Sequence, residues 1–240
     1  MCLLAALAWV VTIVQANGMG VGPGTMGQSL LAFLALWVVM MAAMMFPSVA
    51  PMAAIWIRSV SARPSGRERL GGVAMFLTGY LIAWTAFGLA AYGALLLTGR
   101  LVDVSPTAAK WVGIGIFAAA GIYQLTPLKE VCLKHCRSPI GSLFHYANFR
   151  GPARDLRVGL HHGFYCVACC WGLMIVLIAV GTMNVAVMAV LAAVVFIEKV
   201  WKRGPQFAVA VGALLLVAAV LAIWVPWLMP GMRMAGMPGM

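Results

Sequence analysis

The stretch HHGFYCVACCW, which begins at His161, places two histidines and three cysteines at the start of a long apolar run. If the run is helical, with about 100° of rotation per residue, His162, Cys166 and Cys169 share one stripe of its surface. Cys170 lies beside this stripe, whereas His161 points away from it. Thiolate and imidazole are ligands that suit Cu(I) and zinc. Ionisable groups at membrane depth are costly and usually functional, so the stripe predicts a metal or redox site.

Two other interpretations of these cysteines are weaker. A single cysteine often packs as a small buried hydrophobe, but three on one stripe with a histidine favour chemistry. A disulfide is disfavoured, because the stripe begins at the predicted cytoplasmic end of the helix, where thiols stay reduced. Adjacent Cys169 and Cys170 also point in different directions on a helix and would bridge poorly.

A second group of candidate ligands lies in TPLKEVCLKHCRSP, residues 126–139. Pro127 stands near the start of a predicted short helix. On that helix Cys132 and Cys136 share a face at i, i+4, with His135 beside them. Because this segment and the mouth of the cysteine-bearing helix lie on the same predicted side of the membrane, the two groups are expected to form one site with two to four ligands. The alternative is a basic surface helix with incidental cysteines.

A third candidate is the methionine-rich stretch WVVMMAAMMFPSVAPM, residues 37–52. Its four central methionines form two pairs at i, i+4, and Met40 with Met44 is one of them. Thioethers bind Cu(I) and hardly bind hard cations. The alternative is core packing, to which methionine is well suited. Pro47 and Pro51 are expected to kink or break this helix near its inner half.

The C-terminal tail, residues 229–240, reads MPGMRMAGMPGM and is rich in glycine, proline and methionine. Such a segment cannot form a packed core, so we expect it to be flexible and to face outside. Loose thioethers there would capture Cu(I) in an oxidising compartment; the alternative is a disordered end without a role. The candidate donors are Met229, Met232, Met234, Met237 and Met240.

The composition indicates the kind of fold that must position these ligands. Of the 240 residues, 64% are hydrophobic and 9% are charged, and the mean hydropathy is +1.02. A soluble domain is nearer half apolar and a quarter charged, so the chain is predicted to lie in a lipid bilayer. Only five acidic residues are present, which argues against calcium sites and paired-carboxylate catalysis.

Apolar segments alternate with short polar gaps along the whole chain. They cover residues 2–16, 29–57, 72–98, 109–126, 158–180, 184–200 and 206–228. The sequence therefore predicts an all-α polytopic membrane protein with about seven transmembrane helices, or six if the first segment is absent or cleaved. Residues 1–228 are expected to form a single transmembrane helical domain.

The basic residues predict how the chain is oriented. Thirteen of the sixteen lie in the gaps 58–71, 127–157 and 199–205, and three lie in the alternate gaps and the tail. The positive-inside rule then places the N-terminus inside and the C-terminus outside. The net charge of +11 is explained by this topology and by anionic headgroups, so no nucleic-acid partner is expected.

Four motifs, in this order, resemble a bacterial family of predicted metal-binding integral membrane proteins, formally a domain of unknown function. They are WVVMMAAMMFPSVAPM, GIYQLTPLKEVCLKHCRSP, GLHHGFYCVACCWGLM and GTMN, and with the intervening chain they span about residues 20–220. The resemblance implies metal binding and a polytopic fold, without naming a metal or a reaction. It adds weight to the candidate ligands inside the motifs, which are Met40, Met44, Cys132, Cys136, His162, Cys166, Cys169 and Cys170.

These observations favour a metal-handling protein of the bacterial cytoplasmic membrane. We expect it to bind Cu(I), with zinc or iron as alternatives, for transport, delivery or metalloenzyme assembly, and to act as a binding protein more than as an enzyme. Beyond the lipid bilayer, the expected partner is a copper-dependent membrane enzyme or a copper chaperone. The alternatives are a small structural subunit of a larger copper or haem enzyme complex, and a thiol redox protein that uses Cys166 or Cys169.

Overall fold

The computed structural model describes residues 1–19, 22–61, 65–138, 141, 145–146, 149–151 and 153–233. Within these ranges the chain forms α-helices and two short 3-10 helices, and no strand is present there. The α-helices are α1 (Cys2–Met19), α2 (Leu30–Ser61), α3 (Gly66–Val104), α4 (Pro106–Gln124), α5 (Pro127–Arg137), α6 (Arg154–Val180), α7 (Val185–Val200) and α8 (Gly204–Leu221). The 3-10 helices are Pro226–Leu228 and Pro230–Met232.

Each of the seven predicted apolar segments coincides with a helix, and the predicted all-α polytopic fold is confirmed. By length and hydropathy, however, four helices of the described chain can each cross a membrane: α2, α3, α6 and α8. A fifth span results if α4 and α5, which meet at an angle of 64°, form one bent span. Helix α1 is shorter, and α7 has 16 residues, or about 24 Å, against a hydrocarbon core of about 30 Å.

Polar residues that cap the helices explain where several of them begin. The side chains of Ser105 and Thr126 accept backbone N–H groups in the first turns of α4 and α5, and a proline follows each cap. Asn184 caps α7 in the same way after a turn at Gly181, whose φ of 95° favours glycine. The Thr126 cap forces the chain to bend after α4 and so orients α5, which carries Cys136.

Helix α2 continues through both of its prolines, so the predicted break is not present. Each proline removes one backbone donor from the helix. The hydroxyl of Ser48, one residue after Pro47, donates to the carbonyl of Met45 at 2.9 Å. This bond adds a side-chain contact within the turn that contains Pro47.

Helices α3 and α6 pack in close contact along a row of glycines. A Cβ atom at Gly79 would collide with the backbone of Leu156, and a Cβ at Gly159 would collide with the backbone of Phe76. Small residues at such positions let two helix backbones approach closely inside a membrane. The contact holds Tyr80 of α3 against the cysteines of α6.

A buried carboxylate joins α4, α5 and α7. The ammonium of Lys129 lies 2.7 Å from one oxygen of Glu198, and the amide of Gln124 donates to the other at 2.7 Å. Arg137 donates to the backbone carbonyl of Glu198. A buried charge is stable only when it is paired, so this cluster fixes the position of α5 relative to the bundle.

The first residues of the Met-rich tail are packed against the bundle, whereas the sequence predicted a loose segment. Met229 and Met232 are 1% and 2% exposed, and the sulfur of Met229 faces Gly113 of α4. Gly231 fits against the backbone at Ile178 because it has no side chain. Metal capture by these two residues stays a prediction. The remaining predicted donors lie outside the described residues: Met234, Met237 and Met240.

Candidate metal centre

Four thiols from two helices meet in the interior of the bundle. Cys166, Cys169 and Cys170 of α6 are at most 1% exposed, and the sulfurs of Cys169 and Cys170 are 3.3 Å apart. The sulfur of Cys136, at the end of α5, lies 3.7 Å from that of Cys169. Ligand sulfurs around a tetrahedral metal with bonds of about 2.3 Å stand about 3.8 Å apart. The spacing between Cys136 and Cys169 therefore suits a shared soft metal ion.

We call Cys136, Cys166, Cys169 and Cys170 the thiol cluster. All its thiols are free, and the Cys169 thiol donates to the carbonyl of Cys166 at 3.2 Å. Cys136 is the partly exposed member, whereas the other three are fully covered. The cluster thus has a closed interior and one sulfur at its edge.

Cys132, one turn before Cys136, does not join the thiol cluster. It is buried and interacts electrostatically with Lys129 of its own helix and with Tyr123 of α4. Among the described residues no polar contact joins its sulfur to another thiol. Of the two cysteines on α5, it is Cys136, near the C-terminal end, whose sulfur reaches the cysteines of α6.

A lysine and a tyrosine contact the innermost thiol. The ammonium of Lys199, from α7, lies 2.9 Å from the sulfur of Cys166, and the hydroxyl of Tyr80 lies 3.0 Å from it. Lys199 also donates to Ser48 of α2 at 3.4 Å. A cationic neighbour favours the thiolate, which is the form that binds metals. Sequence reasoning missed this role, because Lys199 was counted only as a topological charge.

The predicted ligand His162 is buried but lies beside the thiol cluster, not within it. Its ring packs against Tyr80 with 6.4 Å between centroids, and its Nδ1 lies 3.4 Å from the hydroxyl of Tyr146. Among the described residues no hydrogen bond joins it to a sulfur. Tyr80 therefore contacts both this imidazole and the sulfur of Cys166.

The other three histidines lie around Tyr146, near the N-terminal end of α6. The Tyr146 hydroxyl lies 3.1 Å from Nε2 of His135 and 3.5 Å from Nδ1 of His161, and His145 packs against both rings. Burial raises the pKa of Tyr146, so its hydroxyl keeps its proton at neutral pH. No hydrogen bond of the described chain joins His161 to a sulfur. His145 and Tyr146 were missed, because no periodicity connects them to either helix.

The predicted methionine ligands of α2 are buried in the same hydrophobic core as the thiols. Met40 and Met44 are each 1% exposed. The polar contact from α2 to the thiol cluster is made by Ser48 through Lys199. A ligand role for the two thioethers stays a prediction.

Metal binding at this centre requires the side chains to rearrange. In the described part of the chain, no three His, Cys, Asp or Glu side chains stand in an arrangement ready to hold a metal ion. The 3.3 Å between the sulfurs of Cys169 and Cys170 is short for two ligands of one ion, which need about 3.8 Å. A rotation of one thiol about χ1 would separate them.

One protein-family model covers most of the residues of this centre. A family model described as a copper chaperone, PpoB2, matches residues 34–222. The chain belongs to this family. The match contains the thiol cluster, Lys199 and the four histidines, and it excludes α1 and the Met-rich tail. No curated protein and no solved structure matches the chain. The expected relationship to a metal-related bacterial family is thereby confirmed.

Proposed function

We propose that this member of the copper chaperone family binds Cu(I) at the thiol cluster within the bacterial cytoplasmic membrane and delivers it to a copper-dependent protein. The observation that carries the proposal is the 3.7 Å between the sulfurs of Cys136 and Cys169, which belong to different helices. The family description supports copper as the cargo. The donors support it as well, because thiolates select soft Cu(I) over hard cations.

The charges around the thiol cluster suit a monovalent cargo. Two thiolates around one Cu(I) leave a net charge of −1, and the ammonium of Lys199 lies 2.9 Å from Cys166 to neutralise it. No acidic residue contacts a sulfur of the cluster in the described chain, so the donors offered are soft. Zinc and iron are the competing ions, and elemental analysis of the purified protein separates them from copper.

The exposure of Cys136 supports delivery by ligand exchange. The three thiols of α6 are buried, so a partner cannot reach them directly. Cys136 is partly exposed and lies on a short surface helix. A partner thiolate would replace Cys136 on the copper first, after which the ion leaves the bundle while it remains coordinated. The partner is therefore expected to present a soft donor, cysteine or methionine.

A competition assay tests the proposal. The full-length protein in detergent is reduced and titrated against a coloured Cu(I) chelator. Cys169→Ser and Cys136→Ser are each expected to weaken Cu(I) binding by at least about 100-fold, because even loss of an outer-shell partner costs about 10–100-fold. Cys2→Ser is the matched control, since Cys2 is exposed on α1, and it should bind copper as the unmodified chain does.

Cys132→Ser provides a second control in the same assay. Cys132 shares the face of α5 with Cys136 in sequence terms, but its sulfur makes no described contact with the thiol cluster. Copper affinity should therefore change little in Cys132→Ser. Equal loss in Cys132→Ser and Cys136→Ser, or full binding in Cys169→Ser, would contradict the proposed site.

The contact between Lys199 and Cys166 also favours a second candidate, a thiol redox function. A thiolate stabilised by an ammonium attacks disulfides and alkylating reagents. The complete burial of Cys166 opposes this candidate. Rates of alkylation measured residue by residue decide between them: a redox function requires Cys166 to react faster than exposed Cys2, and copper storage requires it to react more slowly.

A further inference from the structure

Three imidazoles outside the thiol cluster lie close together near the N-terminal end of α6. The ring centroids of His145 and His161 are 5.0 Å apart, those of His135 and His161 are 5.6 Å apart, and those of His135 and His145 are 6.5 Å apart. His135 belongs to α5, His161 belongs to α6, and His145 lies in the chain between them. We call these three residues the imidazole triad.

These distances are close to those of a metal site. With metal–nitrogen bonds of about 2.0–2.1 Å and tetrahedral angles, the centroids of coordinating imidazole rings stand about 5 Å apart. One pair of the imidazole triad already has this spacing, and a second pair exceeds it by little. The widest pair includes His145, whose side chain is exposed and therefore free to turn towards the other two.

The hydroxyl of Tyr146 marks the point on which ring nitrogens of two of the three imidazoles converge. It lies 3.1 Å from Nε2 of His135 and 3.5 Å from Nδ1 of His161. The buried phenol holds the two imidazoles near each other, because its hydroxyl is within hydrogen-bonding distance of both ring nitrogens. A cation at this point would be coordinated by both nitrogens, and the phenol oxygen beside it would be available as a further ligand.

We propose that His135, His145 and His161 form a second metal site, separate from the thiol cluster, which takes a borderline divalent cation such as Zn²⁺. Imidazole suits such cations, and three histidines with one open position are the ligand set of open zinc sites. No sulfur contacts these imidazole nitrogens in the described chain, so the site differs in chemistry from the copper centre.

The imidazole triad lies next to a member of the thiol cluster. His135 directly precedes Cys136, the partly exposed thiol through which copper is proposed to leave. A divalent ion that bridges α5 and α6 through His135 and His161 would hold the end of α5 against α6. The inference goes beyond copper delivery and stands if copper delivery fails, because it depends on none of the thiols.

Co²⁺ is the probe for this site, since it replaces Zn²⁺ and reports its ligands by absorption. In Cys169→Ser, in which the thiol cluster is weakened, the reduced full-length protein in detergent should still bind Co²⁺ with the visible bands of a nitrogen-ligated ion. His145→Ala and His161→Ala should each lower Co²⁺ affinity by at least about tenfold. Lys134→Ala, which removes an exposed charge from α5, is the matched control and should have no effect.

The Cu(I) competition assay on the same variants separates the two proposals. His145→Ala should keep full Cu(I) affinity, and Cys169→Ser should keep full Co²⁺ affinity. The inference is overturned if Cys169→Ser does not bind Co²⁺, or if His145→Ala and His161→Ala, each combined with Cys169→Ser, bind Co²⁺ as Cys169→Ser alone does. If His145→Ala loses Cu(I) binding as well, that variant is misfolded and His145→Gln, which keeps a polar side chain, takes its place. His145→Gln with full Cu(I) affinity and weakened Co²⁺ binding then indicates loss of a ligand, and unchanged Co²⁺ binding contradicts the imidazole site.

Discussion

The ammonium of Lys199 lies 2.9 Å from the sulfur of Cys166, and both side chains are buried. The lysine comes from α7 and the cysteine from α6, so the contact joins two helices. Ser48 of α2 is a further partner of the ammonium at 3.4 Å. Three helices therefore meet at one cation beside the proposed copper ligands.

Replacing this cation should weaken copper binding. In Lys199→Met the side chain keeps its approximate length but loses the charge that neutralises a Cu(I)–dithiolate unit. We expect Cu(I) affinity to fall by about tenfold or more, which corresponds to about 1.4 kcal/mol or more. Chelator competition at neutral pH measures the change. Lys202→Met removes an exposed lysine of the same region and should leave the affinity unaltered; equal affinities in the two variants would exclude the proposed role of Lys199.

The buried ion pair between Lys129 and Glu198 should be far more sensitive to substitution than an exposed pair. Glu198→Gln leaves the Lys129 ammonium buried without its counter-charge, which typically destabilises a fold by about 3–5 kcal/mol. The exposed pair of Glu130 and Lys134 is the internal control, because Glu130→Gln should cost at most about 0.5 kcal/mol. Thermal unfolding in detergent measures both.

The double variant Lys129→Met with Glu198→Gln tests the cause of that loss. It removes the unpaired charge along with its partner, so it should recover much of the stability that Glu198→Gln loses. A double variant as unstable as Glu198→Gln alone would mean that shape, not charge, explains the effect.

The close contact of α3 with α6 predicts contrasting effects of two glycine substitutions in one helix. Gly79→Ala places a Cβ against the backbone of Leu156, which cannot move aside as a flexible side chain could. It should destabilise the protein by about 1–3 kcal/mol and displace Tyr80 from Cys166. Gly93→Ala has no neighbour within 4 Å and should be neutral or stabilising by up to about 1 kcal/mol. Similar melting temperatures for both variants would contradict the packing described.

Tyr146 should make the fold sensitive to alkaline pH. Burial raises its pKa in the folded state above the ordinary value near 10, whereas the unfolded chain deprotonates at that ordinary value. Stability is therefore unaffected by this group below about pH 10 and falls as the pH rises further, because only the unfolded state gains the phenolate. Tyr146→Phe should lose stability less steeply above about pH 10, measured as the slope of melting temperature against pH. An unchanged slope would show that the hydroxyl is already accessible.

Helical periodicity was sufficient to predict which residues share a helix face but not which helices meet. Cys166, Cys169 and Cys170 could be placed together because they lie on successive turns of one helix. Cys132 and Cys136 also share a face, but only Cys136 reaches the thiols of α6. The difference arises from the 64° bend after α4 and from the pairing of Lys129 with Glu198. Both depend on residues that are remote in sequence, so no local pattern could reveal them.

Lys199 and Tyr146 were missed for related reasons. A lysine at the end of an apolar segment is typical of the positive-inside pattern, and its contact with Cys166 exists only because α7 packs beside α6. Tyr146 lies in the segment that joins α5 to α6, and the sequence of that segment shows no sustained apolar periodicity. All four histidines lie within 28 residues of sequence, but this signal was not recognised as one group, because two motifs hold only His135, His161 and His162 and His145 lies in neither.

The glycine row between α3 and α6 has a consequence for how cargo leaves. Backbone lies directly on backbone at Gly79 and Gly159, so these two contacts contain no side-chain rotamer that could switch to open a passage. The short helix α5 is held instead through side chains, which include Lys129 at Glu198, His135 stacked on Tyr165, and the thiol of Cys136. If the protein delivers copper as proposed, we therefore expect α5 to move during unloading while α3 and α6 stay together.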